Sequence, residues 1–190
     1  MAEISIHKHE PFKSREFYIE HGWRAFGSCF HRHDNSTGKV QIVIRKQEVG
    51  ESVKTQTNYT DNALEKANPD NILNYESDRA MFDELYRMAL NEVTVKIGKL
   101  LKTESIAVSE TGDITFTYKS KINYDMNIVG ALGDCIEQYL AKSIVCSWWS
   151  QRNPNLWQSN YNALQNISTS LDNLVGWRER KMRRPIDPIF

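Results

Sequence analysis

Residues 128–175 read IVGALGDCIEQYLAKSIVCSWWSQRNPNLWQSNYNALQNISTSLDNLV, and the spacing in this stretch decides the fold. Ile128, Ala131, Leu132, Cys135, Ile136, Tyr139, Leu140, Ser143, Ile144 and Trp148 recur every three or four positions. That period predicts an amphipathic helix over 127–151, with Asp134, Glu137, Gln138 and Lys142 mainly off the stripe. A second stripe, Trp157, Tyr161, Leu164, Ile167, Leu171, Leu174 and Val175, predicts a helix over 155–180. Pro154 suits a first helical turn, where its missing N–H costs nothing, and Asn153 before it is the expected cap. So short a connection makes the two helices antiparallel neighbours. The second helix runs into a basic cluster, Arg178-Glu179-Arg180-Lys181-Met182-Arg183-Arg184, and then Pro185-Ile186-Asp187-Pro188-Ile189-Phe190.

Upstream, Met81, Phe82, Leu85, Met88, Ala89, Val93, Ile97, Leu100 and Leu101 predict a helix over 76–101, with one buried and one wet face. Ser77 or Asp78 is placed to cap it. Residues 104–119 read as a β-hairpin: Ile106 and Val108, then Ile114, Phe116 and Tyr118, alternate with polar residues around the turn Glu110-Thr111-Gly112-Asp113. An isolated hairpin is marginal in water, so this one must pack on a helix or pair with another strand. Residues 1–75 differ. Phe30–Lys46 reads as a second hairpin about Asp34-Asn35-Ser36-Thr37-Gly38, and Gly50–Asn74, poor in large apolar residues, reads as a long loop or arm. The expected fold is therefore mainly α with added β (α+β). It has a β-containing N-terminal region or arm over 1–75, a three-helix core over 76–180 with the hairpin 104–119, and a docking tail over 181–190.

Composition narrows the function classes. A chain of 190 residues can bury a real core. Lys+Arg and Asp+Glu balance at 24 each, so no global field draws it to nucleic acid or membrane. The balance is local: 150–190 holds six basic and three acidic residues. The three cysteines, Cys29, Cys135 and Cys146, are widely spaced. Cys135 and Cys146 fall about three helical turns apart, too far for a disulfide, and read as reduced, mostly buried thiols. No signal-like N-terminus and no stretch of membrane-spanning length is evident.

Few residues carry chemistry. All five histidines, His7, His9, His21, His31 and His33, fall in the first 33 residues. Cys29, His31 and His33 alternate, so on a strand they share a face that, with another histidine, has the ligand types of a zinc site. The short-range Cys/His pairs of structural zinc sites are missing, so no metal or cofactor is expected. Gly-x-Ser-x-Gly, Gly-rich phosphate-loop and His-Glu-x-x-His motifs are absent, and no catalytic residue is assigned. Trp148 and Trp149 are neighbours and point about 100° apart on a helix. Core packing is the commoner reading of such aromatics, and an interface anchor at Trp149 is the functional one.

The basic cluster also has two readings. Cations at a helix C-terminus complement the macrodipole. Five basic residues in seven exceed that need, so Arg178, Arg180, Lys181, Arg183 and Arg184 are candidates to contact an acidic partner or DNA phosphates, without base readout. The tail cannot continue the helix. Pro185, Ile186, Pro188, Ile189 and Phe190 are candidate subunit-interface residues, because an apolar extended segment gains by adding to a neighbour's edge or groove.

The order helix, strands, helix, tight turn, helix, basic tail resembles the head–tail connector (adaptor) proteins that ring the portal in the neck of tailed bacteriophages. The residues concerned are Phe82-Asp83-Glu84-Leu85-Tyr86-Arg87-Met88-Ala89-Leu90 and the run Ile136-Glu137-Gln138-Tyr139-Leu140-Ala141-Lys142-Ser143-Ile144-Val145-Cys146-Ser147-Trp148-Trp149, followed by Gln151-Arg152-Asn153. The resemblance covers about 76–184, and the style is also similar to proteins of crAss-like phages. It implies a virion structural protein, not an enzyme: a homo-oligomeric, dodecameric ring beneath the portal, touching portal and other neck or tail proteins, with genome DNA in its lumen. Residues 1–75 depart from the smaller family members, which leaves a stopper or tail-completion ring as alternative positions. The rival readings are a small nucleic-acid-binding or packaging protein using the basic cluster, and a metal-dependent enzyme using the N-terminal Cys/His set.

Overall fold

The computed structural model describes residues 4–6, 24–26, 29–34, 39–62, 68–101, 105–119 and 126–179. Four helices are described: α1 (Lys46–Asn62), α2 (Arg79–Leu101), α3 (Met126–Ser150) and α4 (Pro154–Glu179). With 17, 23, 25 and 26 residues, they outweigh six strands of three to six residues each. The strands are β1 (Ile4–Ile6), β2 (Arg24–Phe26), β3 (Cys29–Asp34), β4 (Lys39–Ile44), β5 (Ser105–Val108) and β6 (Ile114–Lys119). The fold is thus mainly α with added β, as the periodicities predict.

The strands form one sheet in the order β1-β5-β6-β4-β3-β2. Among the described strands, only β1 and β5 pair in parallel. Both expected hairpins are present, β3–β4 and β5–β6, and β6 pairs with β4 from Lys39↔Lys119 to Ile44↔Ile114. Alternation explains the pairing. Ile42, Phe116 and Ile106 stand side by side, flanked by Val40–Tyr118 and Ile44–Ile114, and all seven are fully buried. The second hairpin therefore finds its partner in the first. Gly112 closes the β5–β6 turn at φ +88°, a conformation that favours glycine.

Gly50–Asn74 departs from its expected loop. Its first half belongs to α1, whose inward positions are Val49, Gly50, Val53, Thr57 and Asp61. Two of these are polar, so the helical period is weak in hydrophobicity although it is intact in burial. Thr57 Oγ1 donates to the Val53 carbonyl at 3.0 Å and accepts the Leu73 N–H at 3.2 Å. Asp61 accepts the Asn68 N–H at 2.8 Å and the Asn71 side-chain amide at 2.7 Å. The following segment is thereby fastened along α1. At Gly50 a Cβ would come within 2.7 Å of the Tyr75 ring, so glycine admits the close approach. Since β4 and α1 share one apolar core with α2, α3 and α4, residue 75 does not separate two cores.

Asn153 caps α4 as expected: its side-chain oxygen accepts the N–H groups of Asn155 at 3.1 Å and Leu156 at 3.2 Å. Asp78 takes the cap position of α2, its carbonyl accepting the first helical bond from Phe82 at 2.9 Å. Its carboxylate accepts the Asn74 N–H at 3.1 Å. Trp148 Nε1 donates to the Asn71 carbonyl at 2.7 Å, which sets the end of α3 beside the approach to α2. Lys96 on α2 binds Ser168 Oγ at 2.7 Å and Asp172 at 3.0 Å on α4. These contacts tie α2 and its approach to both helices of the α3–α4 pair.

Candidate functional site

Three places on the described surface combine exposure with distinctive side chains. The first lies at the N-terminus of α1. Asp113, from the β5–β6 turn, accepts the Lys46 N–H at 2.9 Å. The Lys46 ammonium meets Asp83 on α2 at 2.6 Å and lies 5.5 Å from the centre of the Tyr86 ring. Tyr86 donates its hydroxyl to the Gly112 carbonyl at 2.9 Å. Burial, then the nearby Asp113 and Glu137 carboxylates, pushes the Tyr86 phenol far above its ordinary range, so it stays a neutral donor. Lys46, Asp83 and Asp113 border an open cleft of about 540 Å3 that Tyr75, Glu76 and Arg79 also line. The Lys46 ammonium has its carboxylate and the helix start has its cap. This is the chemistry of a joint between sheet and helices.

The second place lies at the α3–α4 corner. The Arg152 guanidinium stacks 3.3 Å from the centre of the buried Trp148 ring and donates to the Trp148 carbonyl at 3.2 Å. Lys54, Asp70, Asn74, Ser77 and Asp78 complete a shallow cleft of about 540 Å3. Charges of both signs mix here, and the arginine is already engaged.

The third place is the outer face of α2. Met81, Met88 and Val95 are 46%, 48% and 58% exposed and stand seven residues apart. Seven residues are nearly two full turns, so the three form one stripe, about 21 Å long by helical rise. The exposed carboxylates Glu84 and Glu92 flank it, one on each side by helical angle. Met81 and Met88 were expected in the buried stripe. The packed face is instead Phe82, Tyr86, Ala89, Leu90, Val93 and Ile97, and Leu85 sits at its margin.

The predicted site residues fare differently. Trp149 is corrected: it is 1% exposed and part of the core, so it offers no surface to a neighbouring subunit. Trp148 is buried as well, at 5% exposure, and lines the corner cleft beside Arg152. Arg178 falls within α4, and Arg180, Lys181, Arg183, Arg184, Pro185, Ile186, Pro188, Ile189 and Phe190 lie outside the described residues. Cys29, His31 and His33 occupy alternate positions of β3, whereas His7, His9 and His21 lie outside the described residues.

Cys135 and Cys146 are free and buried. Burial, with Asp134 and Asp172 nearby, pushes the Cys135 thiol up to about 11. Burial does the same to Cys146, likewise to about 11, against the opposing pull of Lys142. Thiols held protonated in this way are packing groups, not poised nucleophiles. Among the described residues, no group of three or more His, Cys, Asp or Glu is placed to hold a metal ion, and no helix is long and apolar enough to cross a membrane. No family model, curated protein or solved structure matches the chain.

Proposed function

We propose that this chain is a non-enzymatic virion structural protein that assembles into a ring in the head–tail neck of a tailed bacteriophage, with genome DNA passing through the lumen. One observation carries the reading. The helical layer leaves an apolar stripe on α2 uncovered, while Lys46 and Arg152 at the two described clefts are engaged within the chain. A protein whose unspent surface is a helix face is suited to association rather than turnover. Rings arise from head-to-tail contacts that close by rotation. The sequence resemblance over about 76–184 supplies the neck as the setting, the portal and other tail proteins as partners, and a dodecamer as the size.

The test is mass measurement and negative-stain imaging of the purified protein, alone and with a candidate portal. A closed ring, alone or on the portal, is the expected outcome. A lone chain of 22.1 kDa under both conditions overturns the proposal. The nucleic-acid reading has a separate signature: salt-dependent DNA binding that disappears when Arg180, Lys181, Arg183 and Arg184 are neutralised.

A further inference from the structure

The outer face of α4 differs from the other exposed helix faces. Residues 153–171 contain no Asp, Glu, Lys, Arg or His, although 25% of the chain is charged. Five exposed positions there are side-chain amides: Asn155, Gln158, Asn162, Gln165 and Asn166. On α2, by contrast, Arg79, Glu84, Arg87 and Glu92 are exposed around the apolar stripe. We infer that the outer face of α4 packs antiparallel, about a two-fold axis, on the same face of a second copy of this chain. This contact is separate from the ring proposed above and does not depend on it.

Solvation alone gives no reason for this choice of residues. A wet helix face is ordinarily served by Glu, Lys and Arg, which form helices well and pair at i,i+4. Asparagine, serine and threonine form helices less well, because their side chains compete for the backbone. Depletion of charge is instead a mark of surface that another protein covers. Self-complementarity decides the occupant. Each amide carries both donors and an acceptor, so an amide face can bond its own copy, which a face of one charge cannot. Within the helix Gln158 donates its side-chain amide to the Asn162 side-chain oxygen at 3.1 Å. That leaves the Gln158 oxygen and the Asn162 amide nitrogen for a partner.

Helical spacing fixes the register. Asn155, Asn162 and Thr169 are exposed and stand seven residues apart, nearly two turns, so they form one seam. By helical angle, exposed Ser159 and Asn166 lie on one side of it, and Gln158 and Gln165 on the other. A two-fold axis through Asn162, perpendicular to the helix, sets Asn162 against its own copy and Asn155 against Thr169. The same axis brings Ser159 to Asn166 and Gln158 to Gln165, each within about 1.5 Å of equal height by helical rise. Each of these unlike pairs occurs twice, and none opposes like charges. The antiparallel arrangement also sets the two helix dipoles in opposition. The seam is about 21 Å long by the same rise, short of a standard interface, and its bonds replace bonds to water. The contact is therefore weak and acts where copies are already concentrated, as in an assembly.

Sedimentation velocity on the full-length chain, over a concentration series up to about 1 mM, reads the contact. Asn162→Glu sets two carboxylates on the axis and should weaken association about tenfold or more, and Asn162→Lys should do the same with two ammonium groups. An equimolar mixture of the two variants should associate at least as tightly as the wild type, because unlike charges then meet on the axis. Glu and Lys are better helix formers than Asn, so circular dichroism melting should show both variants folded at least as stably as the wild type. Recovery on mixing is specific to a contact of residue 162 with itself. Association unchanged in both variants, or weakened in both and not recovered by mixing, overturns the inference. So does a wild type that stays at 22.1 kDa throughout. A chain that pairs in this way but forms no ring on the portal keeps this inference and loses the ring, and a ring that survives both substitutions without pairing does the reverse.

Discussion

The two faces of α2 both carry apolar side chains, six residues on one and three on the other, and have opposite fates. Phe82, Tyr86, Ala89, Leu90, Val93 and Ile97 are buried in the core shared with α3, whereas Met81, Met88 and Val95 face outward. Both sets obey helical spacing, so periodicity alone places them in one broad stripe. The packed face includes the helix's two aromatic residues, stacked 5.9 Å apart, and the outer face carries flexible methionines between carboxylates. Rotamer-poor aromatics make a defined core, and methionine adapts to a partner's shape. The difference teaches that the apolar content of a helix counts all the surfaces it meets, including those outside its own chain.

The comparison breaks most readily at Phe82, which is 1% exposed. Phe82→Ala should lower unfolding free energy by about 3–5 kcal/mol, from lost transfer energy and the remaining cavity. Urea denaturation followed by far-UV circular dichroism reads this directly. A loss below about 1 kcal/mol, the scale of an ordinary point mutation, would mean that this face is not the packed one.

Helix α1 sharpens the comparison from the other side, because inward there does not mean apolar. Thr57 is fully buried, and its hydroxyl supplies the acceptor for the Leu73 N–H. Thr57→Val keeps the shape and strands that donor, which should cost about 1–3 kcal/mol. Amide exchange at Leu73 should quicken in the variant, and an unchanged exchange rate together with unchanged stability would remove Thr57 from this role.

These two helices explain what was legible in the sequence. Helices α2, α3 and α4 and both hairpins could be read because their buried positions are nearly all apolar, at period 3.6 or 2. The Asn153 cap could be read because Asn-Pro has a local meaning. Helix α1 could not, since Thr57 and Asp61 occupy core-facing positions and signal a helix only through bonds to a segment 7 to 16 residues on. Pairing of β4 with β6 was equally hidden, because it joins strands about 75 residues apart in the chain. The stripe on α2 was visible as apolar residues but not as an exposed set, since only the packing of Phe82 and its neighbours fixes which way the helix turns.

The packed interior should also declare itself in alkali. Cys135 and Cys146 have an ordinary value of 9.0 and are held at about 11 in the fold, chiefly by burial. Below the unfolded value both states keep the thiol proton, and the full stability is present. Between about 9 and 11 the unfolded chain releases protons that the folded chain retains, so stability falls as pH rises. The raised Tyr86 and Tyr139 phenols act in the same direction. Lys142, which burial lowers from 10.5, acts oppositely, since the unfolded state is then the one that binds more protons. Melting temperature should therefore decline across this window, and Cys135→Ala/Cys146→Ala should flatten the decline. An identical slope in the double variant would assign the effect to the tyrosines alone.

The smallest expected effect belongs to the outer face, and its smallness is what makes it informative. Met88 is 48% exposed, with no described neighbour covering it, so Met88→Gln removes little packing inside the chain. Its unfolding free energy should stay within about 0.5 kcal/mol of wild type, the range of an ordinary surface change. Association is another matter, because a partner seated on the stripe loses an apolar contact there. The informative measurement is thus a pair: urea midpoint at a concentration where the chain is dispersed, and sedimentation at one where it assembles. A shift in the first would mean that Met88 already packs within its own fold, and the two faces of α2 would then differ only in degree. An unmoved first and a weakened second would separate the faces by function, one holding the chain together and the other holding chains to each other.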